Sequence, residues 1–396
     1  MPVEKGFPRH NGDMPPTFST IPTLTDGVVT LRPPVEGDIE GVLEQCQDPI
    51  TQTWASIPSP YTLDDAYIHV AHTMPRGWET GKEWAFVVEA PDGTGTPRFC
   101  GTISLRNLGE KRARLVFGAH PWARGRGVME RALRVLVEWG FGEQNLNTVE
   151  WLALRGNWPS WRTVWKLGFT YGGALPDWLT RQGRPADAWV ATLRRGEEMS
   201  PRVPWLETPT LAGRLVTIRK LRESDLPRIV ETLADPDTQN WLQRVRETAP
   251  HSLESDADFV IERLEEAASG RAAHWAVTDA HTDLYVGQVS LASVHHGQEA
   301  ELSYWAHPHF RRRGWTTDAC SLVVRHCFET VANGGMGLRR LEANSTATNE
   351  SSMRVLERSG FLRVGRSRNS TLRGDGRWFD SHIYDQLLED RDRSLW

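Results

Sequence analysis

A chain that repeats itself at a long fixed interval is built from duplicated domains, because each copy must bury an apolar face of its own. In this chain Pro22-Thr23-Leu24 returns as Pro209-Thr210-Leu211, and Val29-Thr30-Leu31-Arg32 returns as Val216-Thr217-Ile218-Arg219, an offset of 219 − 32 = 187. Asp48-Pro49-Ile50-Thr51-Gln52-Thr53-Trp54 returns as Asp235-Pro236-Asp237-Thr238-Gln239-Asn240-Trp241 at the same offset, as does His120-Pro121 in His307-Pro308. Gly168-Phe169 and Gly360-Phe361 lie 360 − 168 = 192 apart, so a short insertion separates the copies near their ends. Five islands in order imply a tail over 1–20, one domain over 21–194, a linker over 195–208 and a second domain over 209–390. The linker is polar and interrupted by Pro201 and Pro204.

With 396 residues the chain is long enough for two ordinary cores. Lys+Arg of 46 against Asp+Glu of 51 leaves a net charge of −5, so no global basic field favours nucleic acid or an anionic membrane. Cys46, Cys100, Cys320 and Cys327 show no metal or disulfide spacing, which fits reduced thiols in a cytoplasmic protein without a metal site. The N-terminal segment carries Lys5, Arg9, Asp13 and several prolines but no apolar signal region, and no apolar run is long enough for a membrane helix.

The second copy is the easier to read. Leu215 to Arg219 alternates like a strand, Glu223 to Leu233 has helical spacing, and Ser255 to Ala268 predicts an amphipathic helix with Ser255 as its N-cap. Strand-like runs follow at Trp275-Ala276-Val277, Tyr285 to Leu291 and Glu301 to Trp305, then a helix from Thr317 to about Val331, a strand at Arg340 to Ala343, a helix at Ser351 to Arg358, and strand character to Leu388. This is an α+β pattern, a mostly antiparallel sheet flanked by helices.

Each copy carries an Arg/Gly stretch between a strand and a helix: Arg124-Gly125-Arg126-Gly127-Val128-Met129 and Arg311-Arg312-Arg313-Gly314-Trp315-Thr316. Such a turn aims backbone N–H groups at one spot where the next helix presents its positive end, and glycine lets the backbone approach a phosphate closely. Taken alone, the pattern also describes a solvated basic loop. Downstream, each copy adds Asn-x-x-Ser and Gly-Phe: Asn157, Ser160 and Gly168-Phe169, then Asn349, Ser352 and Gly360-Phe361.

With these motifs the sequence resembles the GNAT acetyltransferase superfamily, especially its ribosomal-protein-N-terminal-type branch, on the run Ala300 to Trp305, His307-Pro308, Arg311 to Ala319, Asn349-x-x-Ser352, Gly360-Phe361 and Asp380 to Leu388. The likeness extends roughly over 24–193 and 211–388. It implies two tandem GNAT-like domains that use acetyl-CoA or another acyl-CoA as co-substrate and acylate a primary amine of a small metabolite, antibiotic or peptide. It implies that Arg311, Arg312, Arg313, Gly314, Trp315, Thr316 and Asn349 bind the cofactor, with Arg124, Gly125, Arg126, Gly127 and Asn157 as their counterparts.

Direct acyl transfer needs a base for the attacking ammonium and an acid for the leaving thiolate. Glu301 fits the base by the resemblance, and alternation puts it on one face with Ser303; the bland reading is a surface carboxylate beside Glu299. Ser352 is either part of a helix cap or a donor to the CoA sulfur. Tyr384 is a second acid or a strand tyrosine. The first copy has Arg114 where the second has Glu301, and Met129 where it has Thr316. A cation cannot take the ammonium proton, so the first domain has lost this chemistry or uses another base. Of 18 tryptophans, 11 fall between Trp54 and Trp189, and most belong in a core; Trp158 and Trp161 could also line an acceptor pocket. His295-His296 reads as a polar loop. The rival class is an acyl-CoA-binding or scaffolding protein without turnover, and an acyl carrier protein could present the same thioester arm.

Overall fold

The computed structural model describes residues 21–242, 250–295 and 298–390; the tail expected over 1–20 and His296 lie outside these, as does the side chain of His295. The chain divides into two units, 1–202 and 203–396, with the division falling inside the segment 195–208.

The first unit runs β1 (Leu24–Thr25), β2 (Thr30–Arg32), α1 (Ile39–Gln47), α2 (Pro49–Trp54), α3 (Leu63–Ile68), α4 (Met74–Glu79), β3 (Glu83–Pro91), β4 (Pro97–Gly109), β5 (Arg112–Ala119), α5 (Val128–Gly142), β6 (Thr148–Leu154), α6 (Trp158–Lys166), β7 (Thr170–Arg181) and β8 (Arg184–Arg194). The second runs β9 (Leu211–Ala212), β10 (Val216–Lys220), α7 (Leu226–Ala234), α8 (Pro236–Trp241), α9 (Phe259–Ala268), β11 (Ala272–Asp279), β12 (Tyr285–His295), β13 (Glu299–Ala306), α10 (Trp315–Phe328), β14 (Arg340–Thr346), α11 (Glu350–Arg358), β15 (Leu362–Leu372) and β16 (Trp378–Leu387). The sheets have one topology, β1-β2-β3-β4-β5-β6-β8-β7 and β9-β10-β11-β12-β13-β14-β16-β15. All pairings are antiparallel except β5 with β6 and β13 with β14.

Alternation along β13 decides which face each side chain serves. Ala300 and Leu302 enter the core beneath α10 and α11 with Leu322, Val323, Leu341, Leu356 and Phe361. Trp305 packs on the other face with Phe259, Leu226 and Ile229 of α9 and α7. Glu301 and Ser303, in step with Trp305, belong to that α7/α9 face.

The structure corrects two helix boundaries. Ser255 lies in a turn with Ser252 and Asp256, and α9 begins only at Phe259 after Asp258, so Ser255 is not its N-cap. The turn closes on its own hydroxyls and carboxylate before helical dihedrals set in. α10 begins at Trp315, directly after Gly314, and stops at Phe328.

One of the repeated islands owes its sameness to a polar pair. Arg219 makes a two-pronged ion pair with Asp225 at 2.9 Å, both side chains almost wholly buried. Arg32 does the same with Asp38 at 2.7 Å. In each copy the pair ties a strand to the turn that starts the next helix. Asp225→Ala would leave a buried guanidinium with the exposed Asp283 as its remaining carboxylate partner. We expect it to destabilise the second unit by about 3 kcal/mol, measured as a lower denaturant midpoint at unchanged slope.

Candidate active site

Two features build the site in the second unit: the parting of β13 from β14, and the turn that follows β13. The parallel register pairs Glu299 with Arg340, Ala300 with Leu341 and Glu301 with Glu342, and stops there. Beyond it, β13 pairs only with β12 and β14 only with β16. A gap therefore opens in mid-sheet, starting at Glu301. The first unit opens one pair later, after Leu115 and Trp151.

Glu301 stands at the root of this opening, partly exposed, and accepts a hydrogen bond from Asn344 Nδ2 at 3.1 Å. Its cross-strand neighbour Glu342 is engaged by Arg340, which also binds Asp385 at 3.1 Å. At the corresponding place in the first unit Arg114 is neutralised by Glu150 at 2.7 Å.

At the mouth, the turn alternates handedness. Arg312 has φ +60° and Gly314 φ +78°, matched by Gly125 at +71° and Gly127 at +74°. Left-handed residues spaced two apart turn successive N–H groups toward one concavity, and α10 or α5 begins at once behind it. A Cβ built on Gly314 would approach nothing nearer than Leu215 Cδ1 at 3.8 Å, and one on Gly127 would meet nothing within 4 Å. The space beside the turn is thus free of protein atoms, as a phosphate-binding cradle requires.

The arginines play different parts from one another. Arg311 does not extend from the turn toward a ligand: it donates to Asp235 and, at 2.7 Å, to Thr238 Oγ1, the pair that caps α8. Burial disfavours the Asp235 carboxylate, but Arg311 and the Thr238 N–H outweigh it and hold the carboxyl below its usual range. Arg124 repeats the arrangement with Asp48 at 2.5 Å and Thr51 at 2.9 Å. Both arginines thus brace the turn against the capped helix α8 or α2. Arg313 lies over the Phe310 ring at 5.3 Å and Arg126 over Trp122 at 5.3 Å. Trp315 stacks on Phe310 at 5.1 Å, and Thr316 is partly buried in the first turn of α10. Arg312 is exposed and has no carboxylate partner among the described residues.

Across the opening, Asn349 caps α11 by accepting from Ser352 N at 3.1 Å, and Asn157 caps α6 through Ser160 N at 3.3 Å. The Ser352 hydroxyl lies 3.0 Å from the Tyr304 hydroxyl, and Tyr304 also reaches the Ser352 carbonyl at 3.0 Å. Burial pushes the Tyr304 phenol well above its ordinary range, so it stays protonated. Sequence reasoning passed over Tyr304, although it lies in the run that carried the family resemblance. Tyr384, by contrast, is withdrawn: it is fully buried in the core, with its hydroxyl 3.5 Å from Glu357. That placement fits the alternative reading of Tyr384 as a strand tyrosine. In the first unit Phe117 replaces Tyr304, and Ser160 Oγ accepts from Trp151 Nε1 at 3.0 Å. Trp161 and Trp189 are buried in that unit and clasp Trp158, with ring centroids 4.5 to 5.6 Å apart.

A sheet parted between parallel strands, with an anion-binding turn and helix N-terminus at its mouth, defines an acyltransferase that takes a CoA thioester. The chain belongs to the acetyltransferase (GNAT) domain family, whose pattern it matches twice, over residues 29–170 and 215–362. It is similar to the "Probable N-acetyltransferase YjcK" of Bacillus subtilis, at 26% identity over 176 residues, 44% of this chain and 94% of that protein. Similar solved structures include RimJ of Mycobacterium smegmatis in complex with CoA-disulfide, at 23% identity and TM-score 0.41, covering 47% of this chain and 90% of that one. A GNAT-family acetyltransferase of Bacillus anthracis matches at 20% identity and TM-score 0.39, covering 46% and 99%. Among the described residues no helix is long and apolar enough to cross a membrane.

Proposed function

We propose that the second unit is the working N-acyltransferase, moving an acyl group, most simply acetyl, from CoA to a primary amine of a small metabolite, antibiotic or peptide. The observation that carries this reading is the parting of β13 from β14 at Glu301, with the left-handed turn from Arg312 to Gly314 leading into α10 at its mouth. The CoA thioester supplies the activated acyl group; its pyrophosphate would rest on the backbone of the turn from Arg312 to Gly314. Glu301 takes a proton from the acceptor nitrogen as the N–C bond forms. The Ser352 hydroxyl, steadied by Tyr304, donates a hydrogen bond to the sulfur as the C–S bond breaks, and the thiolate then takes a proton from solvent, which receives those the ammonium has lost. The left-handed φ at Arg312 supports a use for this side chain, because a non-glycine residue holds there at a cost of about 1 kcal/mol where the first copy has Gly125.

The first unit keeps the turn but places Arg114–Glu150 where the base should be. We read it as a domain that retains the fold without this chemistry. The free, buried state of Cys46, Cys100, Cys320 and Cys327 supports a reducing, cytoplasmic setting.

The test is release of free thiol from acetyl-CoA across a panel of amines, run beside calorimetry for CoA binding. Amine-dependent thiol release is the expected result. Binding without release for any amine would favour the rival class, a CoA-binding protein; release only from a carrier-protein thioester would move the donor to that class.

A further inference from the structure

On the α7/α9 face, next to Glu301, the sheet carries a polar row that acyl transfer as described leaves unused. His274 of β11 lies opposite Ser290 of β12, and Ser290 opposite Ser303 of β13. His274 Nε2 is 2.7 Å from Glu266 Oε2 on α9, and His274 Nδ1 is 2.8 Å from Ser290 Oγ. Gln288 Nε2 donates to Ser290 Oγ at 3.0 Å, and Arg263 donates to Glu266 at 2.7 Å. His274, Ser290 and Gln288 are all buried.

The directions in this chain are fixed by charge. Burial raises the Glu266 carboxyl, but its bonds from His274 and Arg263 prevail and bring it down to about 2, so it only accepts. His274 must then donate from Nε2–H, which leaves Nδ1 a bare acceptor. Burial keeps the imidazole neutral in spite of Glu266. Ser290 therefore points its O–H at Nδ1, while Gln288 fills the other side of the oxygen. The bare Nδ1 lone pair faces the Ser290 hydroxyl, so the geometry gives a proton a path from that hydroxyl to the imidazole.

The reaction needs such a path. An amine that arrives as ammonium loses two protons on becoming an amide; one ends on the CoA sulfur and the other in solvent, and Glu301 holds only one at a time. Resting on the proposed transferase reading, we propose that His274 is a positioning residue of the acceptor side which, through Ser290 and Ser303, draws off the proton that converts the ammonium to the free amine. Ser290 passes its own proton to His274 Nδ1 and receives one from the side of Ser303, whose Cβ as a cross-strand partner lies about 5 Å away. Glu266, partly exposed, balances the imidazolium and opens the way to solvent. The equivalent row of the first unit reads Ala85, Ser104 and Val116, beside Arg114. Imidazole, outer hydroxyl and base are thus absent together from the copy that lacks the carboxylate. The other charged groups on the elements around His274 are Glu262, Arg263 and Glu265 of α9, Glu301 further along β13, and the Arg219–Asp225 pair beside β11.

His274→Gln and Ser290→Ala in the full chain test this, using acetyl-CoA and an alkyl amine that the wild type acylates. We expect acetyl-CoA affinity within about twofold and kcat lowered roughly tenfold or more, below the range of a group touching the reacting atoms. The double variant should lose little beyond either single one. The acid limb of kcat/KM should shift in both, and a weakly basic aryl amine, which arrives neutral, should recover most of the loss. Ser290→Ala guards against a misfolded His274→Gln. Folded variants with unchanged kcat and acid limb would make the chain a clamp between α9 and the sheet and overturn this inference alone. A wild type that acylates no amine would overturn the transferase reading and this inference with it.

Discussion

Glu301→Gln is expected to lower kcat at neutral pH by roughly 10² to 10⁴-fold, the usual worth of a positioned general base, while leaving acyl-CoA affinity almost unchanged. Glutamine has the same shape and can still accept from Asn344, which bonds Glu301 at 3.1 Å. The side chain is partly exposed and outside the core, so the loss should be chemical rather than structural. Arg114→Ala in the first unit should leave kcat nearly intact, because that guanidinium is already neutralised by Glu150. Steady-state rates on one amine, with calorimetry for CoA, decide the matter. Turnover that survives Glu301→Gln and is lost when the Arg124 to Met129 turn is disrupted would place catalysis in the first unit.

The duplication, the fold class and the two turns were legible because they rest on local signals: alternation, helical spacing, glycine before a helix. The repeated islands were legible too, but not their purpose. Asp48 and Asp235 recur because each caps a helix and grips an arginine of the turn far along the chain. His120 and His307 recur because each meets a helix carboxylate, Glu44 at 3.0 Å and Glu231 at 2.9 Å. Such partnerships depend on which helix crosses which strand, which no local pattern contains. The same blindness hid the Asp235 partner of Arg311, the Tyr304–Ser352 contact and the burial of Tyr384.

The two units also show which parts of the site travel with the fold. Left-handed dihedrals in the turn, the asparagine cap and the braced arginine are present in both. They keep a helix seated against a parted sheet whether or not chemistry occurs. The acceptor face differs: Glu301, Ser303 and His274 against Arg114, Val116 and Ala85. Contacts within the fold account for the first set in either copy, and the second set is the one on which the proposed transfer depends.

Gly314→Asp is expected to weaken acyl-CoA binding at the second unit at least about a hundredfold, because a carboxylate would stand in the concavity meant for phosphate. The protein itself has room for the side chain, since the nearest atom to a Cβ there is Leu215 Cδ1 at 3.8 Å. The left-handed φ of +78° would strain most residues, but aspartate is among those that tolerate it best, so the cost to folding should be about 1 kcal/mol. Binding and folding can thus be separated. Gly127→Asp, its counterpart at φ +74°, carries the same strain in the first unit and should leave CoA binding by the second unit untouched. Calorimetry on both variants, with thermal unfolding as the control for fold, gives the comparison. If Gly314→Asp is folded and binds acyl-CoA as the wild type does, the turn between β13 and α10 does not hold the pyrophosphate.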